Sequence, residues 1–420
     1  MDRRTALKSA VAAGAAAAVT NVAPVEAAAL AVSLPKLTIT RVKIFQPPNL
    51  NQTFNQSNMV VTVETSNPKL TGVGEGGCRD MLEQCAGRLI GKNPFSIERC
   101  WQDMYRAWFY PPGREKIHAL GALDLALWDI KGKALDVPVY DLIGGMNRNY
   151  LECYATGGGG GGMGGTLAQR AAAAMKAGYR IFRIDAASGP GTTFNSRTKV
   201  NQVVRDARAC REGVGESGDW MIDFHQRFDF ADCLRACKRI EEFEPYMVED
   251  PVRTESFLQD IPRLRNMTNC PIGAGEEWGQ RWDFHRLVEN HDIDFNRCTL
   301  PNVGGITEML KVAALCETHD IGIVPHFTGP IATAAIVHAL GPFVGPVTVE
   351  YNYGDAKPGT GQISHLNEFL TFREGKLWPN NRPGLGVVLN MGQLKQIAEI
   401  SQPGPNRTTY YRPDGSQTNW

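Results

Sequence analysis

The chain has 420 residues, 43% of them hydrophobic and 21% charged, with Lys plus Arg and Asp plus Glu equal at 44 each. That length and apolar content can bury a large core and suit one barrel with a cap better than several small domains. The balanced charge leaves no net field to attract polyanions, which argues against nucleic-acid binding.

The chain opens with Arg3-Arg4-Thr5-Ala6-Leu7-Lys8, an Ala-rich stretch to Val19, Pro24 and the small-residue run Ala27-Ala28-Ala29. This order of features predicts a twin-arginine export signal over residues 1–29, cleaved near Ala27–Ala29; a disordered leader is the plainer alternative. The apolar stretch is too short and too weakly hydrophobic to span a bilayer. The expected mature chain is soluble, begins near Leu30 and is periplasmic or secreted. Ten cysteines are scattered, with Cys233 and Cys237 the one close pair, at helical spacing. They read as buried thiols rather than a disulfide framework or a zinc site.

Residues 37–46 and 59–65 alternate as strands, and a Gly-rich turn around Gly72–Gly77 is expected after a third segment. Pro47–Ser57 between them is polar and rich in Asn, and reads as a mobile loop. Two helices are predicted at Ser96–Ala107 and Ile117–Leu135 from apolar residues at three- and four-residue steps. Strands followed by helices describe a small α+β domain over residues 30–150.

From Leu151 the pattern changes to short strands alternating with helices, the signature of parallel β/α units. Strands are predicted at Leu151–Thr156, Ile181–Asp185, Met221–His225, Tyr246–Glu249, Ile272–Glu276, Phe295–Leu300, Ile321–His326 and Val347–Glu350. Eight of them make a closed (β/α)8 barrel over residues 151–369. The run Gly157–Gly165 fits a dinucleotide-binding Gly pattern in almost any register and lacks the acidic partner that pattern needs; it reads as a loop over the barrel mouth.

Five chemically capable residues recur near strand ends: Asp223, Glu249, Glu276, His326 and Glu350. In parallel barrels the C-terminal ends of the strands face the active site, so this ladder predicts one convergent site. Asp223, Glu249 and Glu276, on neighbouring strands, offer hard oxygen ligands that suit Mg²⁺. A single strand-end carboxylate would as readily cap a helix or lie on the surface; three in register point to a metal. Strand alternation turns His225 to the same side as Asp223. Strands three and seven lie on opposite walls, so His225 and His326 would flank a substrate held at the metal.

The segments Gly121–Lys133, Asp223-Phe-His-Gln-Arg227, Val248-Glu-Asp-Pro251, Gly304-Gly-Ile-Thr-Glu308, Pro325-His-Phe-Thr-Gly-Pro330 and Arg382-Pro-Gly-Leu-Gly386 resemble the enolase superfamily. The likeness is to the branch around mandelate racemase, especially its galactonate and mannonate dehydratases. It implies a Mg²⁺ enzyme in which a base removes the proton next to a sugar acid's carboxylate and the metal stabilises the resulting enediolate. Such a proton is very weakly acidic, so a dication and positioned donors must offset the second charge. By similarity, His326 would be the base, His225 the acid for the departing hydroxyl, and Glu350 a group orienting the substrate carboxylate. The likeness also implies a homo-oligomer, and a C-terminal segment, residues 370–420, that completes the cap formed by residues 30–150.

Two positions depart from that pattern. Where many members have Lys-x-Lys on the second strand, this chain has Arg183-x-Asp185. Arginine stays protonated and is a poor proton shuttle, so Arg183 and Asp185 read as substrate-binding residues. The sixth-strand residue that usually supplies an Asp to the seventh-strand His is Thr299, which deprives His326 of a carboxylate partner and lowers its pKa; Asp185 and Asp294 are the candidates to compensate. The leading expectation is an exported lyase yielding a 2-keto-3-deoxy acid. An epimerase using the same enediolate and a binding module without turnover are the alternatives. The polar Asn49–Asn58 loop and Trp108-Phe-Tyr-Pro-Pro112 are expected either to shield the site or, for the aromatics, to pack in the cap core.

Overall fold

The computed structural model describes residues 34–48, 58–110, 112–156, 164–186, 193–404 and 409–418. The export signal expected over residues 1–29, most of the Asn49–Asn58 loop and most of the Gly157–Gly165 run lie outside the described residues. No helix among the described residues is long and apolar enough to cross a membrane.

The cap is built on a four-stranded antiparallel sheet. Strands β1 (Ile39–Gln46), β2 (Val60–Thr65) and β3 (Thr71–Glu75) pair in sequence order, and β16 (Lys395–Ile400) closes the other edge against β1. Helices α1 (Arg79–Gly87), α2 (Ile97–Arg106) and α3 (Arg114–Leu135) follow. Between Ile117 and Gly132 nearly every side chain of α3 is buried, as befits a helix enclosed on all sides. The Gly72–Gly77 segment is a correction to the sequence reading: its first half is strand β3, not a turn. The glycines are there because α3 lies almost on the sheet. A Cβ at Gly72 would sit 2.0 Å from the Ala126 carbonyl oxygen, and one at Gly74 1.9 Å from that of Ala122.

After the short helix α4 (Val139–Leu142), eight parallel strands alternate with helices. The strands are β4 (Leu151–Thr156), β5 (Ile181–Asp185), β6 (Asp219–Asp223), β7 (Met247–Glu249), β8 (Ile272–Ala274), β9 (Phe295–Asn296), β10 (Gly322–Ile323) and β11 (Thr348–Glu350). Each pairs in parallel with the next from β4 to β10, and β11 pairs with β4. The parallel bridge Ile323–Val347 joins β10 to the β11 edge and closes the ring. The helices are α5 (Leu167–Lys176), α6 (Ser196–Val214), α7 (Phe230–Ile240), α8 (Phe257–Arg265), α9 (Arg281–Glu289), α10 (Ile306–Glu317) and α11 (Pro330–Leu340). Inside the barrel, Tyr154, Ile181, Met221, Met247 and Val324 form a small apolar plug.

The C-terminal part has two destinations. Strands β13 (Thr371–Arg373) and β14 (Lys376–Trp378) form a hairpin that adds to the start of β4, and β12 (Leu366–Glu368) pairs with β15 (Val388–Leu389). Among the described residues of this part, β16 alone joins the cap sheet. All ten cysteines are free thiols and nine are buried; Cys233 and Cys237 lie 3.9 Å apart, sulfur to sulfur.

Candidate active site

Register carries the acids to one height. Asp185 pairs with Asp223 across β5 and β6, and Asp223 with Glu249 across β6 and β7. Glu276 follows two residues after β8, and Glu350 ends β11. Asp223, Glu249 and Glu350 are buried, and Glu276 is nearly so. Carboxylate oxygens of Asp223, Glu249 and Glu276 lie within 4.8 Å of one another.

Two guanidiniums hold this acidic cluster together. Arg183 on β5 donates to Asp223 Oδ2 at 2.8 Å and to Glu249 Oε2 at 3.3 Å, and its Nη2 lies 3.3 Å from Glu350 Oε1 and 3.7 Å from Asp185. Arg297, fully buried just past β9, bonds Glu249 and Glu350 and donates to the Val324 carbonyl at 3.1 Å. Sequence reasoning did not single out Arg297. A lone arginine inside the run Phe-Asn-Arg-Cys-Thr-Leu was the available signal, since a buried charge needs paired partners.

Five carboxylates (Asp185, Asp223, Glu249, Glu276 and Glu350) face these two cations; even with a protonated His225 beside Asp223 as a third cation, full ionisation leaves two negative charges over. The cluster responds as such a deficit requires. Burial, reinforced by repulsion from Asp250, Asp223 and Glu249, holds Glu276 well above the ordinary carboxylate range, and Glu249 is also raised by its burial. Burial opposes the ionisation of Glu350 too, yet Arg183 and Arg297 outweigh it and hold that group well below the usual range. Among the described residues, Glu276 Oε2 is buried without a hydrogen-bond partner; His326 Nε2 stands 3.6 Å away and Arg297 Nη2 3.7 Å away. An orphaned oxygen beside two further carboxylates, in a cluster short of two positive charges, fits a divalent ion that takes oxygen ligands. Asp185, Asp223 and His225 form a second close group, but Arg183 already occupies it.

His225 reaches the site by a route other than strand alternation. Strand β6 stops at Asp223, and His225 and Gln226 take positive φ values of 46° and 58°. This turn folds the imidazole over Asp223, with Nε2 2.8 Å from Oδ2, while the His225 amide donates to Oδ1 at 2.7 Å. Phe224 points away and packs edge-on against Phe228. Burial lowers the His225 pKa, but the bond and charge of Asp223, with Asp185 4.0 Å from Nδ1, outweigh it and raise the net value. Asp223 is the converse: burial raises it, and Arg183 and His225 bring it below its usual value.

His326 stands in a different environment. It follows β10, its amide donates to the Cys298 carbonyl at 3.2 Å, and its Nε2 lies 3.6 Å from Glu276 Oε2. Its Nδ1 has no partner among the described residues. Thr299, at the position of the missing aspartate, turns its hydroxyl to the Glu276 carbonyl at 3.2 Å instead. Neither Asp185 nor Asp294 stands in: Asp294 is engaged by Arg265 and the Ile272 amide at the start of β9. Burial drives the His326 pKa down to about 4. Asp250, also overlooked in the sequence, is buried beside Glu249, accepts from the Gly275 amide at 3.0 Å and is pushed up to about 8 by burial.

The aromatic segment at the cap edge is not cap core. Trp108 is half-buried beneath Lys116, whereas Phe109 and Tyr110 are exposed. Arg114, just beyond them, lies 3.4 Å from Glu277, the residue after Glu276.

A closed parallel barrel under an α+β cap, with carboxylates and two histidines gathered at its strand ends, defines a barrel-and-cap enzyme. Residues 36–144 match the family model of the mandelate racemase/muconate lactonizing enzyme N-terminal domain, and residues 166–393 match that of the enolase C-terminal domain-like family. The chain belongs to the enolase superfamily, in the mandelate racemase/muconate lactonizing enzyme branch. It is 34% identical over 349 residues to the D-galactonate dehydratase of Pectobacterium atrosepticum, covering 81% of this chain and 88% of that one. It is also 34% identical over 366 residues to the D-galactonate dehydratase of Xanthomonas campestris pv. campestris, covering 84% and 94%. Among solved structures, an enolase from Pantoea ananatis with bound D-gluconate and Mg superposes with a TM-score of 0.75 at 25% identity, covering 85% of this chain and 94% of that one. A member of the enolase superfamily from Salmonella Typhimurium gives 0.77 at 25%, covering 87% and 99%.

Proposed function

We propose that this chain is an exported Mg²⁺-dependent hydro-lyase that dehydrates a sugar acid to a 2-keto-3-deoxy acid. The enzyme class and the sugar-acid substrate are supported by the D-galactonate dehydratases that it resembles over more than four-fifths of its length. The observation that carries the mechanism is the placement of two histidines on opposite walls in unlike settings, His225 bonded to Asp223 and His326 buried beside Glu276. Burial pushes His326 down to about 4, which favours the neutral imidazole that accepts a proton, while Asp223 raises the pKa of His225, which favours the form that donates one. Elimination needs one of each.

Asp223, Glu249 and Glu276 would hold the Mg²⁺, which supplies positive charge to the substrate carboxylate and to the negative charge that develops when the adjacent proton leaves. His326 takes that proton from C2. His225, held by Asp223, gives its proton to the hydroxyl leaving C3. Glu350, fixed by Arg297 and Arg183, orients the substrate carboxylate. Arg183 and Asp185 line the wall beside His225 and set the position of substrate hydroxyls. The enol product then tautomerises to the keto acid.

The split between the two histidines is tested in D₂O with Mg²⁺. His326→Asn is expected to abolish both deuterium uptake at C2 and keto-acid formation, while His225→Gln keeps uptake and loses elimination. Uptake that survives in His326→Asn would assign the base elsewhere, and epimer formation without keto acid would make the enzyme an epimerase. Export rests on Arg3-Arg4: Lys-Lys at those positions should retain the full-length chain in the cytoplasm on fractionation, and unchanged export would remove the twin-arginine reading. A homo-oligomer is expected by light scattering after size-exclusion chromatography, and a monomer mass would count against it.

A further inference from the structure

Glu75 ends β3 at the seam between cap and barrel, far in sequence from any candidate catalytic group. Its side chain is 1% exposed, and its Oε2 accepts from the backbone amides of Ile331 at 2.8 Å and Ala332 at 3.1 Å. Those amides open α11, whose own N-cap residue is Gly329, without a side chain to do the capping. Gly329 also makes room for the contact: a Cβ there would lie 2.0 Å from Glu75 Cδ and Oε1. The cap therefore supplies the helix cap that the barrel sequence omits.

The turn so pinned is the one that carries His326. Between β10 and α11 its other anchors are the His326 amide on Cys298 O, the Phe327 amide on Glu350 Oε2 at 3.0 Å, and the Tyr353 hydroxyl on Thr328 O at 2.7 Å. Glu75 holds the far end, five residues past the imidazole. A second cap carboxylate offers a contrast. Asp124 on α3 accepts from the amide of Thr307 at 3.0 Å at the start of α10, a helix whose preceding loop carries Arg297 and Thr299 but neither histidine.

We propose that Glu75 is a positioning residue for His326: the cap sets the reach of the base through the N-terminus of α11, so docking of the cap and placement of the base are one event. This rests on the reading of His326 as the base. A carboxylate fixed by burial and two backbone donors is suited to the task, because helix start and imidazole belong to one short, multiply anchored turn. A displacement of about 1 Å at a reacting group costs up to roughly 100-fold in rate.

The test compares Glu75→Ala, Glu75→Gln, Gly329→Ala and the double variant Glu75→Ala/Gly329→Ala, with Asp124→Asn and His326→Asn as references. Each is assayed for kcat, KM, C2 deuterium uptake and thermal midpoint. Glu75→Ala should lose about 10- to 100-fold in kcat and in uptake with KM unchanged, while Glu75→Gln, whose amide oxygen accepts the same two bonds, retains most of both. Gly329→Ala should fall like Glu75→Ala, yet add nothing in the Glu75→Ala background, where the methyl has space. Asp124→Asn should lower the midpoint without lowering kcat. Wild-type kcat in Glu75→Ala, with His326→Asn inactive, would overturn the inference and leave the base reading standing. If Glu75→Ala does not fold, wild-type kcat in Gly329→Ala overturns it equally. Uptake retained in His326→Asn would remove the base reading and Glu75's role with it.

Discussion

Arg297→Met is the sharpest probe of how the site is held. The guanidinium is fully buried and bonded to both Glu249 and Glu350, with Glu276 3.7 Å away. Methionine roughly fills the volume but leaves two buried carboxylates without that cation. Breaking a buried pair from one side costs about 3–5 kcal/mol. Protonation of Glu249, already raised by burial, limits the loss and places the lower half of that range within reach. For a folded unit spanning Lys36–Trp420, an unfolding entropy of roughly 0.8 kcal/mol/K converts this into a fall of about 4–5 °C in thermal midpoint. The deficit of positive charge also grows, so added Mg²⁺ should restore more stability in the variant than in the wild type; at 100 times Kd, binding contributes about 2.7 kcal/mol. The assay is a thermal melt with EDTA and with a Mg²⁺ series. An Arg297→Met midpoint equal to wild type in EDTA, or a smaller Mg²⁺ gain, would refute the view of Arg297 as a counterion to an acid cluster built for a dication.

Glu249→Gln should weaken Mg²⁺ binding and turnover together in calorimetry and keto-acid assays, and unchanged values for both would take it out of the metal set. Glu75, pushed up to about 8 by burial, holds a proton in the folded state that the unfolded chain releases near 4.5. Stability should therefore fall as pH rises from about 4.5 to about 8, by a total on the order of 5 kcal/mol, and the slope should flatten in Glu75→Gln. Tyr353, which faces it and is raised well above its ordinary value first by burial and then by Glu75, stays neutral across that window; urea titrations at several pH values measure the slope. Gly74→Ala would place a methyl 1.9 Å from the Ala122 carbonyl and should cost about 1–3 kcal/mol or more by forcing α3 off the sheet; a neutral outcome in denaturant melts would mean that α3 has slack against β3.

The barrel was legible because its strands are short apolar runs separated by helices, and the site because its acids stand where those runs end. The ends themselves were less legible. Runs such as Phe295–Leu300 and Ile321–His326 read as six-residue strands, whereas the ladder holds only Phe295–Asn296 and Gly322–Ile323 and the remainder turns over the mouth. His225 came out beside Asp223 for a different reason from strand alternation, because a positive φ at a non-glycine residue leaves no mark in a single sequence. Gly72 and Gly74 suggested a turn, since the helix that needs their missing side chains lies 50 residues further on. Arg297 and Glu75 were hidden by the same limit: each acts through partners remote in sequence, and only the closed barrel and docked cap bring those partners to them.

The central claim is elimination from a sugar acid, and the direct measurement is to incubate the protein with Mg²⁺ and a panel of aldonic, uronic and aldaric acids in D₂O, following keto-acid formation and deuterium at C2. A 2-keto-3-deoxy acid that depends on Mg²⁺ and vanishes with EDTA is the predicted result. Tight binding of a sugar acid with neither keto acid nor deuterium at C2 would contradict it.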